Sequence, residues 1–153
     1  IFFIDFLTLV YFIQSRYKLK KSMKKIEVVA AIIQYNDEIL CVQRPFSKLP
    51  YISNKFEFPG GKIEKGETKK EALKRELIEE LDIEPEIGNL FLTVIHEYPD
   101  FELTMHSFIC KTKSKKLILN EHISLNWLNN SELLNLDWAE ADIPIVNKLI
   151  END

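Results

Sequence analysis

The chain has 153 residues, of which 46% are hydrophobic, and carries a formal net charge of −4. This length and apolar content suffice for one domain with a proper core. The basic residues are not gathered into a stripe, which argues against binding to a nucleic-acid backbone. Cys41 and Cys110 are isolated in apolar runs, so we expect reduced core thiols in a cytoplasmic protein.

Residues 1–22 differ in composition from the remainder of the chain. Their apolar part is about thirteen residues long and is interrupted by Asp5, whereas roughly twenty apolar residues are needed to span a bilayer. We expect an N-terminal extension that is not part of the fold, followed by one domain at 23–153. A membrane anchor, with the basic residues that follow it on the cytoplasmic side, is the alternative.

The next stretch predicts two paired strands and a loop. Strands are expected at 26–33 and 39–42, joined by a turn at Asn36 and Asp37. Arg44 follows at the strand end, where its guanidinium is suited to hold a phosphate; an ordinary solvent-facing arginine is the alternative. Residues 45–55 contain two prolines and are expected to form a loop that can close over a ligand.

The stretch 56–83 predicts a glycine turn and a helix with an unusual acidic face. Thr68 followed by Glu71 is a capping box, so the helix starts at Thr68. Its apolar stripe consists of Leu73, Leu77 and Leu81, and the adjoining strip carries the carboxylates of Glu76, Glu79 and Glu80. These like charges repel one another, and only Lys69 shares their strip. The pattern predicts a Mg²⁺ site; a solvated acidic face is the alternative.

The remainder of the chain predicts further strands and a closing helix. Strands are expected at 90–98 and 103–110, joined around Pro99 and Asp100, and in a segment that ends at Trp127. Ser131 is expected to cap a short helix, and Asp142 to begin an amphipathic helix at 143–150. Strands flanked by helices predict an α/β/α sandwich with a mixed β-sheet.

The glycine turn and the acidic helix together closely resemble the Nudix box, G-x5-E-x7-R-E-U-x-E-E-x-G-U with U aliphatic. The matching residues are Gly61, Glu67 and the run Arg75-Glu76-Leu77-Ile78-Glu79-Glu80-Leu81-Asp82-Ile83. Only Asp82 departs, since the box has glycine there; this helix-end position is usually left-handed and tolerates aspartate. The likeness extends over most of 23–150 and is especially close to the MutT-type branch, through Glu57–Lys62 (EFPGGK), 98–100 and 141–144.

The resemblance implies the Nudix fold and hydrolysis of the α–β phosphoanhydride of a nucleoside triphosphate, with Mg²⁺ or Mn²⁺, to a monophosphate and pyrophosphate. It implies metal ligation by Gly60 through its carbonyl and by Glu76, Glu79, Glu80 and Glu121. In this reading Glu76 also activates water, Arg75 orients the glutamates, Glu67 holds the loop or a further metal, and Glu121 completes the metal site or acts as base.

Nucleotide binding is implied for Glu57, Phe58, Pro59, Gly60, Lys62 and Asp142. Asp142 matches the residue that reads the base edge, and Phe56 or Trp138 can stack on a base, with ordinary core packing as the alternative for both. The substrate is expected to be 8-oxo-dGTP. CTP or a related pyrimidine triphosphate is a close alternative, because 138–142 also resembles the branch that acts on it.

An ADP-ribose-type Nudix hydrolase and a non-catalytic ligand-sensing domain are more distant alternatives. We expect a cytoplasmic enzyme that is a monomer or a weak homodimer and binds neither nucleic acid nor a membrane.

Overall fold

The computed structural model describes residues 5–152. Its helices are α1 (Phe6–Ser22), α2 (Lys69–Leu81) and α3 (Ile143–Glu151), with short 3₁₀ helices at Asn130–Asn135 and Glu140–Asp142. Its strands are β1 (Lys24–Tyr35), β2 (Glu38–Gln43), β3 (Phe56–Glu57), β4 (Gly60–Lys62), β5 (Glu86–Glu97), β6 (Phe101–Lys111) and β7 (Ser124–Leu128). Each predicted strand is present, with its ends shifted by a few residues.

The strands form one mixed sheet. Its order is β3-β2-β1-β6-β5, with β4 paired to β1 and β7 paired to β2. β1 and β6 run parallel, whereas the β1–β2, β1–β4, β2–β3, β2–β7 and β5–β6 pairs are antiparallel. The central position of β1 buries both of its faces over 29–33. The expected burial of 26–33 is therefore confirmed for its second part, whereas Glu27 is exposed.

Alternate residues of β1 contribute to two separate cores, one on each face of the sheet. Ala30 and Ile32 pack in the core that contains the apolar residues of α3. Val29 and Ala31 pack in the core that contains Leu73, Leu77 and Leu81 of α2. Because successive side chains of a strand point to opposite faces, α2 and α3 cover opposite sides of the sheet. The predicted α/β/α sandwich with a mixed sheet is confirmed.

Helix α2 begins and ends as the sequence predicts. The Thr68 hydroxyl accepts from the Glu71 N–H, and the Glu71 carboxylate accepts from the Thr68 N–H, which completes the capping box. At the other end Asp82 is left-handed, with φ of 54°, and its N–H donates to the Ile78 carbonyl. The departure from the glycine of the Nudix box therefore leaves the usual helix end intact.

The predicted cap of the short helix after β7 is wrong by two residues. The 3₁₀ helix runs from Asn130 to Asn135 and is capped by Asn129, whose N–H donates to the Glu132 carboxylate. Ser131 instead lies inside the helix. Asparagine and serine are both good N-cap residues, so the cap rule alone does not choose between adjacent candidates. Asp142 does precede α3, with a proline in its first turn.

Helix α1 exposes its apolar side chains. Phe6, Leu7, Tyr11 and Tyr17 are each more than 70% exposed. Within residues 5–152, no helix is long and apolar enough to cross a membrane. Residues 1–4 and Asp153 lie outside the described part of the chain, and the separation of 1–22 from the domain stays a prediction.

Deletion of residues 1–22 should leave the free energy of unfolding unchanged, because the described side chains of α1 bury little apolar surface. Urea denaturation of the chain starting at Met23 checks this. The Leu77→Ala variant is the comparison, since truncating a fully buried leucine costs about 2–5 kcal/mol. A loss on deletion as large as that of Leu77→Ala would show that α1 is part of the domain.

Candidate active site

A cleft of about 550 Å³ opens where β1, β4 and α2 meet the segment that precedes α3. Most of the predicted site residues line it: Arg44, Glu57, Phe58, Gly60, Lys62, Arg75, Glu76, Glu79, Glu80, Glu121 and Asp142. Glu80 of the helix contacts the Gly60 N–H and Asp142 contacts the Phe58 N–H, and we call these two parts of the lining the helix end and the Asp142 end. Sequence positions almost one hundred residues apart are thus gathered around one cavity.

The glycine turn permits the close approach of α2 to the sheet. Gly60 has φ of +153°, and a Cβ there would lie 2.0 Å from the Val29 carbonyl oxygen. A Cβ on Gly61 would lie 2.3 Å from the carboxylate carbon of Glu76. Neither position has room for a side chain. Gly60 thus lets β4 lie close to β1, and Gly61 lets the Glu76 carboxylate lie close to β4.

Arg75 ties the acidic helix to the loop before it. Its guanidinium donates to both carboxylate oxygens of Glu67, at 2.7 and 2.9 Å, and to the Lys62 carbonyl. The same guanidinium donates to Glu76 Oε1 at 2.7 Å and lies 3.6 Å from Glu79. The hydrogen bonds from Arg75 lower the pKa of Glu67 to about 2. Glu67 therefore holds the loop and is ionised at neutral pH.

The expectation that Lys69 alone accompanies the acidic strip is wrong. Arg75 lies beside the strip on the helix, but its long side chain bends over and pairs with Glu76. Counting charges by helix angle misses this contact, because a long cation reaches beyond its own position.

Glu80 is the buried carboxylate of the acidic helix, with 6% of the residue exposed. Burial, together with the charges of the neighbouring Glu57, Glu121 and Glu76, raises its pKa to about 8. Its Oε2 accepts from the Gly60 N–H at 3.1 Å. Several carboxylates thus crowd one buried place, which disfavours ionisation of Glu80 in the absence of a cation.

Glu121 reaches this group because its segment is fastened to α2. The Asn120 N–H donates to the Glu80 carbonyl, and the Asn120 side chain donates to the Glu79 carbonyl. These two bonds also satisfy carbonyls near the end of the helix, which have no partner within it.

The donor set of this end of the cleft suits a hard divalent cation. Carboxylate oxygens are the ligands that Mg²⁺ and Mn²⁺ prefer, and a cation would relieve the repulsion around Glu80. Within residues 5–152, no three histidine, cysteine, aspartate or glutamate side chains converge into a ready-made metal site. Glu76 and Glu80 are engaged instead by Arg75 and by the Gly60 N–H.

Arg44 and Glu57 form an ion pair in the middle of the cleft. Arg44 Nη1 donates to Glu57 Oε2 at 2.7 Å, and the His122 Nε2 lies 3.1 Å from Glu57 Oε1. Burial lowers the pKa of Arg44, but Glu57, Asp142 and Glu80 together raise it above its ordinary value. The guanidinium therefore lies within the electrostatic reach of both ends of the cleft.

Asp142 forms the other end of the cleft and is 4% exposed. Its Oδ1 accepts from the Phe58 N–H at 3.0 Å. Burial raises its pKa well above the ordinary value, Glu57 adds to the increase, and the Phe58 N–H opposes it. The preceding Ala141 N–H donates to the Tyr98 hydroxyl at 3.1 Å. This carboxyl is therefore fixed in place and favours its protonated form.

The loop 45–55 borders the cleft, as expected, and contributes Pro45 and Ile52 to its lining. Tyr51 stacks on Tyr98, with ring centroids 5.0 Å apart, and donates to the Asp100 carboxylate. The loop is thus packed against the turn between β5 and β6.

Three expected binding residues do not line the cleft. The Pro59 carbonyl accepts from the Ala31 N–H within the sheet, and its side chain is buried. Trp138 is 6% exposed, packs on Phe58 and donates to the Leu133 carbonyl, so it is a core residue. Phe56 packs against the same core. The core alternative is therefore the correct one for both aromatic residues.

His122 and Tyr98 also line the cleft, although the sequence did not predict either as a site residue. His122 adjoins Glu121 in the chain, and this is the only signal that pointed to it. Tyr98 is buried, and burial raises its pKa to about 12. Its place beside the predicted turn at Pro99 gave no hint that its hydroxyl accepts from Ala141.

Comparison with known proteins identifies the family of this chain. A model of the NUDIX domain matches residues 24–149. CTP pyrophosphohydrolase from Escherichia coli (strain K12) is 38% identical over 124 residues, which cover 81% of this chain and 90% of that protein. 8-oxo-dGTP diphosphatase from the same organism is 34% identical over 128 residues, covering 83% of this chain and 98% of that protein.

A solved structure with the same fold comes from methicillin-resistant Staphylococcus aureus 252, described as the DNA mismatch repair protein MutT of the Nudix hydrolase family. It superposes with a TM-score of 0.68 at 41% identity, over 86% of this chain and 99% of that one. The family model spans the domain from β1 to α3 and includes the glycine turn and the acidic helix. The chain belongs to the Nudix family.

Proposed function

We propose that this chain is a Mg²⁺-dependent nucleoside triphosphate pyrophosphohydrolase that acts on 8-oxo-dGTP and thereby clears an oxidised nucleotide from the precursor pool. The observation that carries the proposal is the buried Glu80 with its neighbouring carboxylates, facing the glycine turn in a cleft that also contains Arg44. A phosphoanhydride brings negative charge to this place, so the site needs cations before it can bind its substrate.

Gly60 and the side chains of Glu76, Glu79, Glu80 and Glu121 are the groups that we assign to the metal. When bound, Mg²⁺ would neutralise the phosphate oxygens and acidify water. Nudix hydrolases as a family use divalent cations, and the choice of Mg²⁺ over Mn²⁺ is part of this proposal.

The remaining polar groups have separate tasks in the proposed reaction. Arg75 holds Glu76 Oε1, which fixes the Glu76 carboxylate so that Oε2 can take the proton of the attacking water. Arg44 and Lys62 offer positive charge to the phosphates, as the guanidinium and ammonium groups of such residues do. Glu67 acts at a distance, because it holds Arg75.

Asp142 is assigned to the base. In its protonated form the carboxyl both donates and accepts, whereas an ionised carboxylate only accepts. A protonated aspartic acid matches a base edge that presents a donor beside an acceptor. The 8-oxoguanine edge and the cytosine edge both present such a pair, but a purine and a pyrimidine differ in size, so the two bases cannot meet Asp142 with the same geometry.

CTP and related pyrimidine triphosphates form the second candidate substrate class. The observation that favours it is the 38% identity with the E. coli CTP pyrophosphohydrolase, compared with 34% for the 8-oxo-dGTP diphosphatase. We further propose a cytoplasmic location, supported by the free, buried thiols of Cys41 and Cys110, whose pKa is raised by burial to about 12.

Pyrophosphate release with Mg²⁺ from 8-oxo-dGTP, dGTP, CTP, dCTP, 5-methyl-dCTP and ADP-ribose tests the proposal. We expect the largest kcat/KM for 8-oxo-dGTP, with 8-oxo-dGMP as the second product. A preference for the cytosine nucleotides would replace the substrate but keep the reaction. Turnover of ADP-ribose alone, or of none of the triphosphates, would contradict the proposed function.

Glu80→Gln should lower kcat by about a hundredfold or more, because it removes a charged ligand from the proposed metal site. The fold should persist, since glutamine keeps the size of the side chain and an oxygen that can accept from the Gly60 N–H. Steady-state kinetics and circular dichroism check the two expectations. The matched control is Glu84→Gln, which removes an exposed carboxylate paired with Lys74; its rate should stay normal. A near-normal rate for Glu80→Gln would contradict the metal assignment.

Asp142→Ala should change the ratio of kcat/KM between guanine and cytosine nucleotides by about tenfold, because one hydrogen-bonding group of the base pocket is lost. Asp142→Asn keeps a donor, and its oxygen can still accept from the Phe58 N–H, so it should fold like the wild type. The substrate panel measured on both variants is the test. If the ratio is unchanged in both, Asp142 does not read the base.

A further inference from the structure

His122 is buried beside the cleft, with 3% of its side chain exposed. Its Nε2 lies 3.1 Å from Glu57 Oε1. Its Nδ1 is also buried, and within residues 5–152 it has no hydrogen-bond partner. One nitrogen of this imidazole thus contacts the carboxylate in the middle of the cleft, and the other contributes nothing to the fold.

The contact with Glu57 assigns a proton to the histidine. An ionised carboxylate only accepts, so Nε2 must carry the hydrogen that it donates to Glu57. The unpaired Nδ1 makes the imidazole a poor choice for stability, because a buried polar atom without a partner costs free energy of folding. An apolar ring of similar size would avoid that cost. The fold by itself therefore gives no reason for a histidine here.

Glu57 connects His122 to Arg44. One carboxylate oxygen faces the histidine, and the other accepts from Arg44 at 2.7 Å. The three residues come from separate places in the sheet: Arg44 follows β2, Glu57 belongs to β3, and His122 precedes β7. β2 pairs with both β3 and β7, so the sheet itself brings the three side chains together.

Arg44, the last residue of this series of contacts, lies between Glu80 and Asp142. Arg44 is close enough to both Glu80 and Asp142 for their charges to act on it. A triphosphate that reaches from the base end to the helix glutamates must pass this guanidinium. Glu57 sets the direction of this guanidinium with one carboxylate oxygen. Only its other oxygen is left to hold Glu57 in place, and that oxygen faces His122.

We propose that His122 is a positioning residue that, by holding Glu57, directs the Arg44 guanidinium toward the triphosphate. The inference rests on the proposed function, since it takes a triphosphate as the ligand. His122 itself is assigned no contact with the reacting atoms. Its loss should therefore weaken binding of the substrate more than it slows the chemical step.

The direct test compares three replacements of His122. His122→Phe keeps the ring and removes both nitrogens; His122→Gln keeps a donor near the place of Nε2; His122→Asn keeps one near Nδ1. We expect KM for the best triphosphate to rise about tenfold in the phenylalanine and asparagine variants, the usual loss on removing a supporting residue. The glutamine variant should stay within about threefold of the wild type, and kcat should change little in all three.

A double-mutant cycle with Arg44→Ala tests whether His122 acts on substrate binding through Arg44. If His122 acts through Arg44, then His122→Phe should raise KM less than about twofold when Arg44 is already alanine. Calorimetric binding of a non-hydrolysable α,β-methylene triphosphate should give the same pattern in Kd. Thermal unfolding should show His122→Phe to be as stable as the wild type or more so, because the unpaired nitrogen is gone.

The matched control is His106→Gln. His106 is also buried and also bonds a glutamate through Nε2, at 2.7 Å from Glu27, but neither it nor Thr93 on its other side lines the cleft. This variant should leave KM unchanged. An unchanged KM in His122→Phe, equal losses in the glutamine and phenylalanine variants, or full additivity with Arg44→Ala would each overturn the inference. The proposed function is tested separately, by the turnover of triphosphates by the wild type.

Discussion

The structure depends on the placement of a glutamate where a soluble helix would normally bury a leucine. Glu80 lies next to Leu81 and one turn from Leu77, whose side chains are fully buried. The leucine stripe and the caps at both ends fix the rotation of α2, so Glu80 must face the sheet. The missing Cβ atom of Gly61 then lets the Glu76 carboxylate come close to β4, and that of Gly60 lets β4 lie close to β1. The free energy gained by burying the leucines therefore offsets the repulsion between the carboxylates.

The lining of the cleft contains more carboxyl groups than cations, although its proposed substrate is an anion. Within the residues that line it, Arg44, Lys62 and Arg75 are the cations, and Arg75 is occupied by Glu67 and Glu76. Arg44 is itself paired with Glu57 in the middle of the cleft. The balance of charge therefore calls for a bound cation before the triphosphate can be held.

Local rules predicted the elements well, because each rests on neighbours in the sequence. The capping box at Thr68, the left-handed Asp82 and the hairpin turn at Asn36 are all determined within a few residues. Contacts between distant segments were not predictable in this way. The indole ring of Trp138 is of a kind that can stack on a base, but its contacts with Phe58 and Leu133 place it in the core.

The site residues that belong to one sequence motif were predicted. The contacts that come together only through strand pairing were not. The helix glutamates share one stretch of sequence, whereas His122 meets Glu57 only because β2 pairs with both β3 and β7.

The most direct test of the proposed cation site is thermal unfolding of the wild type and Glu80→Gln with and without Mg²⁺. We predict that Mg²⁺ raises Tm of the wild type by about 3–8 °C and that of the variant by less than half as much. Equal shifts in both proteins, or no shift in either, would contradict the claim that the buried carboxylates form the cation site.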